Sequence, residues 1–166
     1  MEVFFMQLSK LFTMQRELDL FIQNNREEKT DVFLEKGLAL LIELAELANE
    51  TRCFKFWSTK GPSDDAVILE EYVDSIHFLL SLGIEKDLHT LTNWPEGEVE
   101  GELTQLFLET TAAIHCFLNE LSMTAYEKVW IHYGAIAKKL GFTNEDIIGA
   151  YLAKNEENYN RQKTGY

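Results

Sequence analysis

The sequence predicts an all-α protein, a helical bundle of about six helices. Apolar residues recur at helical intervals along most of the chain, and only two prolines and nine glycines interrupt its 166 residues. A composition of 46% hydrophobic and 26% charged residues is typical of a folded globular chain. We find no β alternation and no internal repeat, so we expect one all-α domain over residues 1–166.

The first helix is defined by a stripe of apolar residues. Leu8, Leu11, Leu18 and Ile22 recur at intervals of three, four and seven residues, which places them on one helical face. Gln15 falls on the same stripe, which is an unusual place for a polar side chain. The polar stretch NNREEKTD then ends this periodicity.

Two further helices are separated by the loop STKGPSDD. The second is predicted from about residue 32 to 51, and the third from about 65 to 82. Gly83 is expected to end the third helix, because glycine is the commonest residue just beyond a helix C-terminus.

The second half of the chain begins with an irregular, acidic segment at 84–101. A fourth helix is predicted over 102–120 and a fifth over 124–140, with Gly141 ending the fifth. The letters TNED form a capping box, which opens a last helix that extends to about residue 162.

The charge balance excludes one class of partner. The formal net charge is −13, and binding to nucleic-acid polymers depends on Lys and Arg that neutralise phosphates. No apolar run reaches the roughly 18 residues needed to span a bilayer, and MEVFFMQLSKLF lacks the features of a secretory leader. We therefore expect a cytoplasmic protein whose cysteines, Cys53 and Cys116, are reduced and buried.

The stretch ALLIELAELANE carries two carboxylates inside an apolar helix. Glu43 and Glu46 are three residues apart, so their side chains share one helical face. Unpaired carboxylates in such a setting are costly, and a bound cation removes that cost.

The third helix repeats this arrangement with Glu71 and Asp74. Two such helices packed together would bring four carboxylates to one point, and hard oxygen ligands favour Mg²⁺. An exposed acidic face is the simpler alternative, and the neighbouring Glu70 is interpreted as a solvated residue. The letters DSIH also allow a minor alternative, a di-iron site that includes His77.

The C-terminal helix carries a basic face. Lys154, Asn158 and Arg161 are spaced four and three residues apart, with Asn155 and Gln162 on an adjoining strip. Such a face would neutralise a polyphosphate held by a carboxylate-bound metal. The alternative is a solvated terminal helix with scattered basic residues.

The letters FKFWS, residues 54–58, form a third candidate. Lys55 can reach a phosphate, and Phe56 or Trp57 can cover a flat base. The alternative is that these aromatic residues close the end of the bundle.

Four stretches together resemble the dimeric, all-α dUTPase family, part of the wider MazG-like nucleotide pyrophosphatase superfamily. They are MQRELD, ALLIELAELANETRCFKFWS, LEEYVDSIHFLLSLG and AYLAKNEENYNRQ, which occur in the family's order within residues 14–162. The resemblance implies that the chain forms a two-fold homodimer and that its substrates are dUTP and dUDP. It also implies Mg²⁺ ligation by Glu43, Glu46, Glu71 and Asp74.

The resemblance further implies roles for residues outside the metal site. Gln15 is similar to the family's uracil-edge amide, and Asp19 stands where some members have Asn. The resemblance also implies that Lys154 and Arg161 contact phosphate. Asn158, His77 and Phe78 are implied to contact the nucleoside.

The resulting hypothesis is hydrolysis of dUTP to dUMP and pyrophosphate. Glu43 or Glu46 would deprotonate the attacking water, and Lys154, Arg161 and Lys55 would stabilise charge on the phosphates. Two rival hypotheses remain at this point: a related pyrophosphatase acting on dCTP or other nucleotides, and a non-enzymatic helical interaction module.

Overall fold

The computed structural model describes residues 6–166 and contains six helices in that range. Their bounds are α1 (Leu8–Asn25), α2 (Phe33–Thr51), α3 (Asp65–Glu85), α4 (Leu103–Glu120), α5 (Met123–Leu140) and α6 (Asn144–Lys163). Across the described range there is no strand, only an isolated antiparallel bridge between Gln7 and Asn93. The predicted all-α bundle is therefore confirmed.

Helix α3 lies at the centre of the bundle. It packs against α2 most extensively and also against α1 and α6. The α4–α5 hairpin joins the bundle through contacts between α4 and α2 and through tyrosines of α5 that reach α3. Eleven residues of α3 are buried, from Ile68 to Gly83, so that α3 is covered on several sides.

Aromatic residues dominate the core beside α3, and the hydroxyls of Tyr72 and Tyr126 are hydrogen-bonded to the backbone. The Tyr72 hydroxyl donates to the Tyr133 carbonyl at 2.7 Å, and the Tyr126 hydroxyl donates to the Leu79 carbonyl at 2.7 Å. Buried aromatic groups of this kind contribute large apolar areas, and pairing their hydroxyls avoids the cost of unsatisfied donors. These two hydrogen bonds connect α3 to α5.

One helix boundary differs from the prediction. Helix α3 does not end at Gly83 but continues to Glu85. A Cβ atom at position 83 would overlap the Tyr126 hydroxyl, so the glycine permits close packing of this side chain against α3. The prediction was wrong because glycine serves here for close approach and not as a helix terminator.

The other predicted helix ends near the C-terminus are confirmed. Gly141 follows α5 in the left-handed region at φ 79°, which favours glycine. The Thr143 hydroxyl accepts from the Asp146 amide, and the Asp146 carboxylate accepts from the Thr143 amide. This reciprocal capping box opens α6.

Three expectations about the chain as a whole have different outcomes. Both cysteines are free thiols, but Cys116 is exposed on the outer face of α4, so the expectation that it is buried was wrong. No helix in the described part of the chain is long and apolar enough to cross a bilayer. The expectation about a leader rests partly on residues 1–5, which lie outside the described residues.

Candidate active site

Three carboxylates converge where α2 packs against α3. Each of Glu43, Glu46 and Glu71 offers an oxygen atom that lies within 4.8 Å of the oxygens offered by the other two. The three-residue spacing on α2 places Glu43 and Glu46 on the face that meets α3, where Glu71 projects towards them. We call these three residues the carboxylate cluster.

The surroundings of the carboxylate cluster favour protonation. Burial, a hydrogen bond with Glu46 and the charges of neighbouring carboxylates raise the pKa of Glu43 to about 8. Burial and the charge of Asp74 chiefly raise the pKa of Glu71 to about 7. Both shifts arise because charged carboxylates here are poorly solvated and repel one another.

A divalent cation fits the carboxylate cluster. The Glu43 Oε2 atom is buried and has no hydrogen-bond partner among the described residues. An oxygen-only donor set of this kind is suited to Mg²⁺ or Ca²⁺ and unsuited to thiophilic metals. The cation would supply the missing partner and neutralise the repulsion within the cluster.

Asp74 lies near the carboxylate cluster but contacts a lysine instead. Its Oδ1 atom is 3.3 Å from Lys154 Nζ. Burial raises the pKa of Asp74, and Lys154 opposes that shift. Asp74 is close enough to Glu43 and Glu71 to raise the pKa of both groups. The structure thus brings three of the four predicted ligands together, and the fourth, Asp74, lies beside them and pairs with Lys154.

Lys154 is held by three carboxylates. Its Nζ atom lies 2.7 Å from Glu70, 3.2 Å from Glu157 and 3.3 Å from Asp74, and only 5% of the side chain is exposed. Burial disfavours the ammonium group, but these carboxylates outweigh it and raise the pKa of Lys154. Glu70 was expected to be a solvated residue, and the pairing with Lys154 was not anticipated.

A polar cleft of about 670 Å³ extends from the carboxylate cluster along α1. Its walls come from α1, α2, α3 and α6 and from the segment between α1 and α2. Eight of the residues predicted to form the site line it: Gln15, Asp19, Glu43, Asp74, His77, Phe78, Asn158 and Arg161. The fold thus brings together residues from both ends of the sequence.

Gln15 is the centre of a hydrogen-bond network at the cleft wall. It is only 3% exposed, and its Oε1 atom lies 2.6 Å from His77 Nδ1 and 3.0 Å from the Tyr151 hydroxyl. Its Nε2 atom donates to Asp19 Oδ1 at 2.9 Å. Asp19 Oδ2 accepts from the Ser81 hydroxyl at 2.7 Å. This network explains a polar residue on the apolar stripe of α1.

His77 is buried beside the same network. Its ring stacks on Tyr151 with a centroid distance of 4.3 Å and an interplanar angle of 16°. Burial, reinforced by the charge of Lys154, lowers the pKa of His77 to about 3, so the ring is neutral at pH 7. His77 is not part of the carboxylate cluster, which gives no support to the di-iron alternative.

Seven predicted residues are not on the cleft lining: Glu46, Glu71 and Lys154, described above, and four others. Lys55, Phe56 and Trp57 are in the turn after α2, where Phe56 is 93% exposed and Trp57 65% exposed. These two aromatic side chains therefore do not close the end of the bundle. Asn155 is buried on α6, and its Nδ2 atom has no hydrogen-bond partner in the described part of the chain.

The structure adds residues that sequence patterns had not indicated. Ser81 and Tyr151 complete the Gln15 network, and Lys36 Nζ lies 2.5 Å from Glu85 and 4.0 Å from Asp19. Ser81 follows His77 by four residues and Tyr151 precedes Lys154 by three, so helical spacing would have placed both on faces already under consideration.

A carboxylate cluster that adjoins a cleft with amide and guanidinium groups defines this bundle as a helical hydrolase of phosphorylated nucleotides. The match to a family model supports a narrower assignment: the dUTPase model covers residues 7–166. The chain belongs to this family, the all-α dimeric dUTPases, and its enzymatic activity is dUTP hydrolysis. No curated protein matches the chain significantly. The family assignment confirms the resemblance and sets aside a non-enzymatic module.

Proposed function

We propose that the chain hydrolyses dUTP to dUMP and pyrophosphate in a reaction that depends on Mg²⁺, and that it also accepts dUDP. One observation carries the proposal beyond the family activity. Glu43 belongs to the carboxylate cluster and also lines the polar cleft that contains Gln15 and Asn158. A nucleotide whose base lies near Gln15 would therefore extend its phosphates towards the carboxylates.

The metal-binding role is assigned to Glu43, Glu46, Glu71 and Asp74. A bound Mg²⁺ supplies charge neutralisation for the phosphates and lowers the pKa of a coordinated water. To bind the cation, Asp74 would give up its contact with Lys154. Its carboxylate lies near both Lys154 and the carboxylate cluster.

Glu43 is the proposed general base, with Glu46 orienting it. In the metal-free cluster the pKa of Glu43 is raised to about 8, and a bound cation would lower it so that the carboxylate is ionised and can act as a base. With the buried Oε2 atom assigned to the cation, the other Glu43 oxygen would take the proton from the attacking water. Glu46 would orient Glu43 through the cation that both would hold, because two ionised carboxylates share no hydrogen bond.

Phosphate contacts are proposed for Lys154, Arg161 and Lys55. Arg161 lines the cleft and pairs with Glu157 at 2.6 Å. A polyphosphate would compete with Glu157 for both Arg161 and Lys154. The positive charge of these two side chains would then stabilise the leaving group. Lys55 would take part only when the turn after α2 approaches the ligand.

The nucleoside is proposed to bind at the other end of the cleft. Phe78 lines this end and is partly buried, so it can pack against the deoxyribose or limit the space beside the base. The remaining proposed contacts are with Gln15, Asp19, Phe56, Trp57, His77, Asn155 and Asn158.

A pyrophosphate-release assay across dUTP, dUDP, dCTP, dTTP and ATP, with Mg²⁺ or with EDTA, tests this function. We expect the highest kcat/KM for dUTP, phosphate but no pyrophosphate from dUDP, and loss of activity in EDTA. Equal rates for dUTP and dCTP would instead indicate a less selective pyrophosphatase. Full activity in EDTA would contradict the metal requirement.

We also propose that the chain forms a homodimer through α2 and α4. Leu34, Leu38 and Ile42 recur every four residues on α2 and are 82%, 61% and 51% exposed. Leu108 on α4 is 69% exposed and lines an apolar groove of about 350 Å³ between the two helices. Exposed apolar side chains in this number are costly in water, and a second copy would cover them.

The Leu38→Glu variant should be monomeric. Burying a charge within an apolar interface costs several kcal/mol, which is enough to dissociate a typical dimer at micromolar concentration. Sedimentation velocity should give a species near 19.2 kDa for the variant and twice that mass for the wild type. Leu152→Glu, on α6 and away from this surface, is the matched control. A monomeric wild type would contradict the proposal.

A further inference from the structure

The side-chain oxygen of Gln15 already accepts all the hydrogen bonds that it can. Its oxygen receives hydrogen bonds from His77 and Tyr151, and an amide oxygen has two lone pairs. Its nitrogen has two hydrogens and gives one to Asp19. Gln15 can therefore offer a ligand one donor and no acceptor.

Asp19 determines which way this amide faces. A carboxylate is only an acceptor, so the Gln15 nitrogen, and not its oxygen, must lie against Asp19. Burial raises the pKa of Asp19, whereas the Ser81 hydroxyl on its second oxygen, Lys36 Nζ at 4.0 Å and Gln15 favour the charged form. Asp19 is thus anchored on two sides and cannot turn away from Gln15 without losing both hydrogen bonds.

The orientation of Gln15 in turn determines the tautomer of His77. Because the amide oxygen only accepts, His77 Nδ1 must carry the proton in their 2.6 Å contact. In a neutral ring, Nε2 is then an acceptor. This atom is buried and has no hydrogen-bond partner among the described residues, although His77 lines the cleft. A buried acceptor of this kind is costly unless a ligand or water pairs with it.

We propose that Asp19 is a positioning residue that sets the base preference of the cleft. By fixing Gln15, it holds His77 in the Nδ1–H tautomer, so that the wall offers one donor from Gln15 and one acceptor from His77 Nε2. This pair matches the carbonyl and N3–H of an imide base such as uracil. In the pose that sets O4 of uracil against Gln15 and N3–H against His77, cytosine presents a donor at N4 and an acceptor at N3, which opposes both groups. The identity of the ligand rests on the proposed function, but the tautomer of His77 does not.

Nitrogen-15 NMR of the histidine rings tests the tautomer directly. The His77 signals are identified by their absence in a His77→Phe variant. We expect a neutral ring at pH 7 with the proton on Nδ1 in the wild type. Asp19→Asn should retain this tautomer, because its amide oxygen still accepts from Gln15. Asp19→Leu should show a mixture of tautomers, because Gln15 can then turn over. Glu17→Leu, on the exposed side of α1, is the control and should resemble the wild type.

The same variants test base selection. The ratio of kcat/KM for dUTP to that for dCTP should fall about tenfold or more in Asp19→Leu, since the loss of a fixed donor–acceptor pair removes much of the discrimination. Asp19→Asn should keep most of the wild-type discrimination between dUTP and dCTP.

The outcomes separate this inference from the proposed function. A wild-type ring protonated on Nε2 would overturn the positioning role, even if Asp19→Leu fails to fold. An unchanged tautomer and base ratio in folded Asp19→Leu would overturn it as well. The expected tautomers in a protein that does not hydrolyse dUTP would support the positioning role and overturn the proposed function.

Discussion

Glu46→Gln should reduce kcat for dUTP hydrolysis by about 100- to 1000-fold, the range found when one charge-stabilising group is removed from an active site. Gln keeps the size of the side chain but removes one of the three charges that would hold the cation. The exposed position of Glu46 on α2 means that the fold should tolerate the change. Asp74→Asn should have an effect of similar size.

The control for this prediction is Glu35→Gln, which changes an exposed glutamate in the first turn of the same helix. It should hydrolyse dUTP at the wild-type rate. Circular dichroism should show wild-type helicity for all three variants, and titration calorimetry should show weaker Mg²⁺ binding for Glu46→Gln. Near-normal turnover by Glu46→Gln would exclude it from the metal site.

Much of the fold and part of the site could be predicted from local sequence. Helical periodicity is a property of neighbouring residues, so it indicated all six helices. The spacing of Glu43 and Glu46 fixed their common face before the partner helix was known. The structure then shows that Glu71 meets them, because α2 and α3 pack against each other.

The remaining features depend on residues that are far apart in sequence. Gln15 contacts His77 across 62 positions, and Lys154 contacts Glu70 across 84. Neither pairing leaves a periodic signal. Gly83 was misinterpreted for the same reason, since its role depends on Tyr126 in a distant helix. Local patterns indicated which residues were unusual, but not which groups they contact.

The burial of Lys154 shows how the protein balances charge without a cation. Asp74, Glu70 and Glu157 would repel one another if the ammonium group were absent, and their repulsion would add to that of the carboxylate cluster. Lys154 neutralises one side of this acidic region. Glu43 and Glu71 have no cationic partner within residues 6–166, and the raised pKa of each reflects that difference.

The metal-free protein should lose thermal stability as the pH rises from 6.5 to about 8.5. In the folded state the pKa of Glu71 is about 7 and that of Glu43 about 8, against an ordinary value of 4.5. The folded state therefore binds more protons than the unfolded state in this range, and stability falls with pH as those protons are released. The lowered pKa of His77 acts in the opposite direction only below its ordinary value of 6.5, outside this range.

Differential scanning calorimetry in EDTA at pH 6.5 and 8.5 measures this effect. The midpoint of unfolding should be lower at pH 8.5 in the wild type, and the difference should shrink in Glu43→Gln, which has no proton to lose at that position. Subtracting the variant removes the general effect of the strongly negative net charge, because position 43 is uncharged in both proteins at pH 6.5. Mg²⁺ should raise the midpoint more at pH 8.5 than at 6.5, because metal and protons compete for the same oxygens. An equal pH dependence in Glu43→Gln and the wild type would show that Glu43 does not carry the shifted proton.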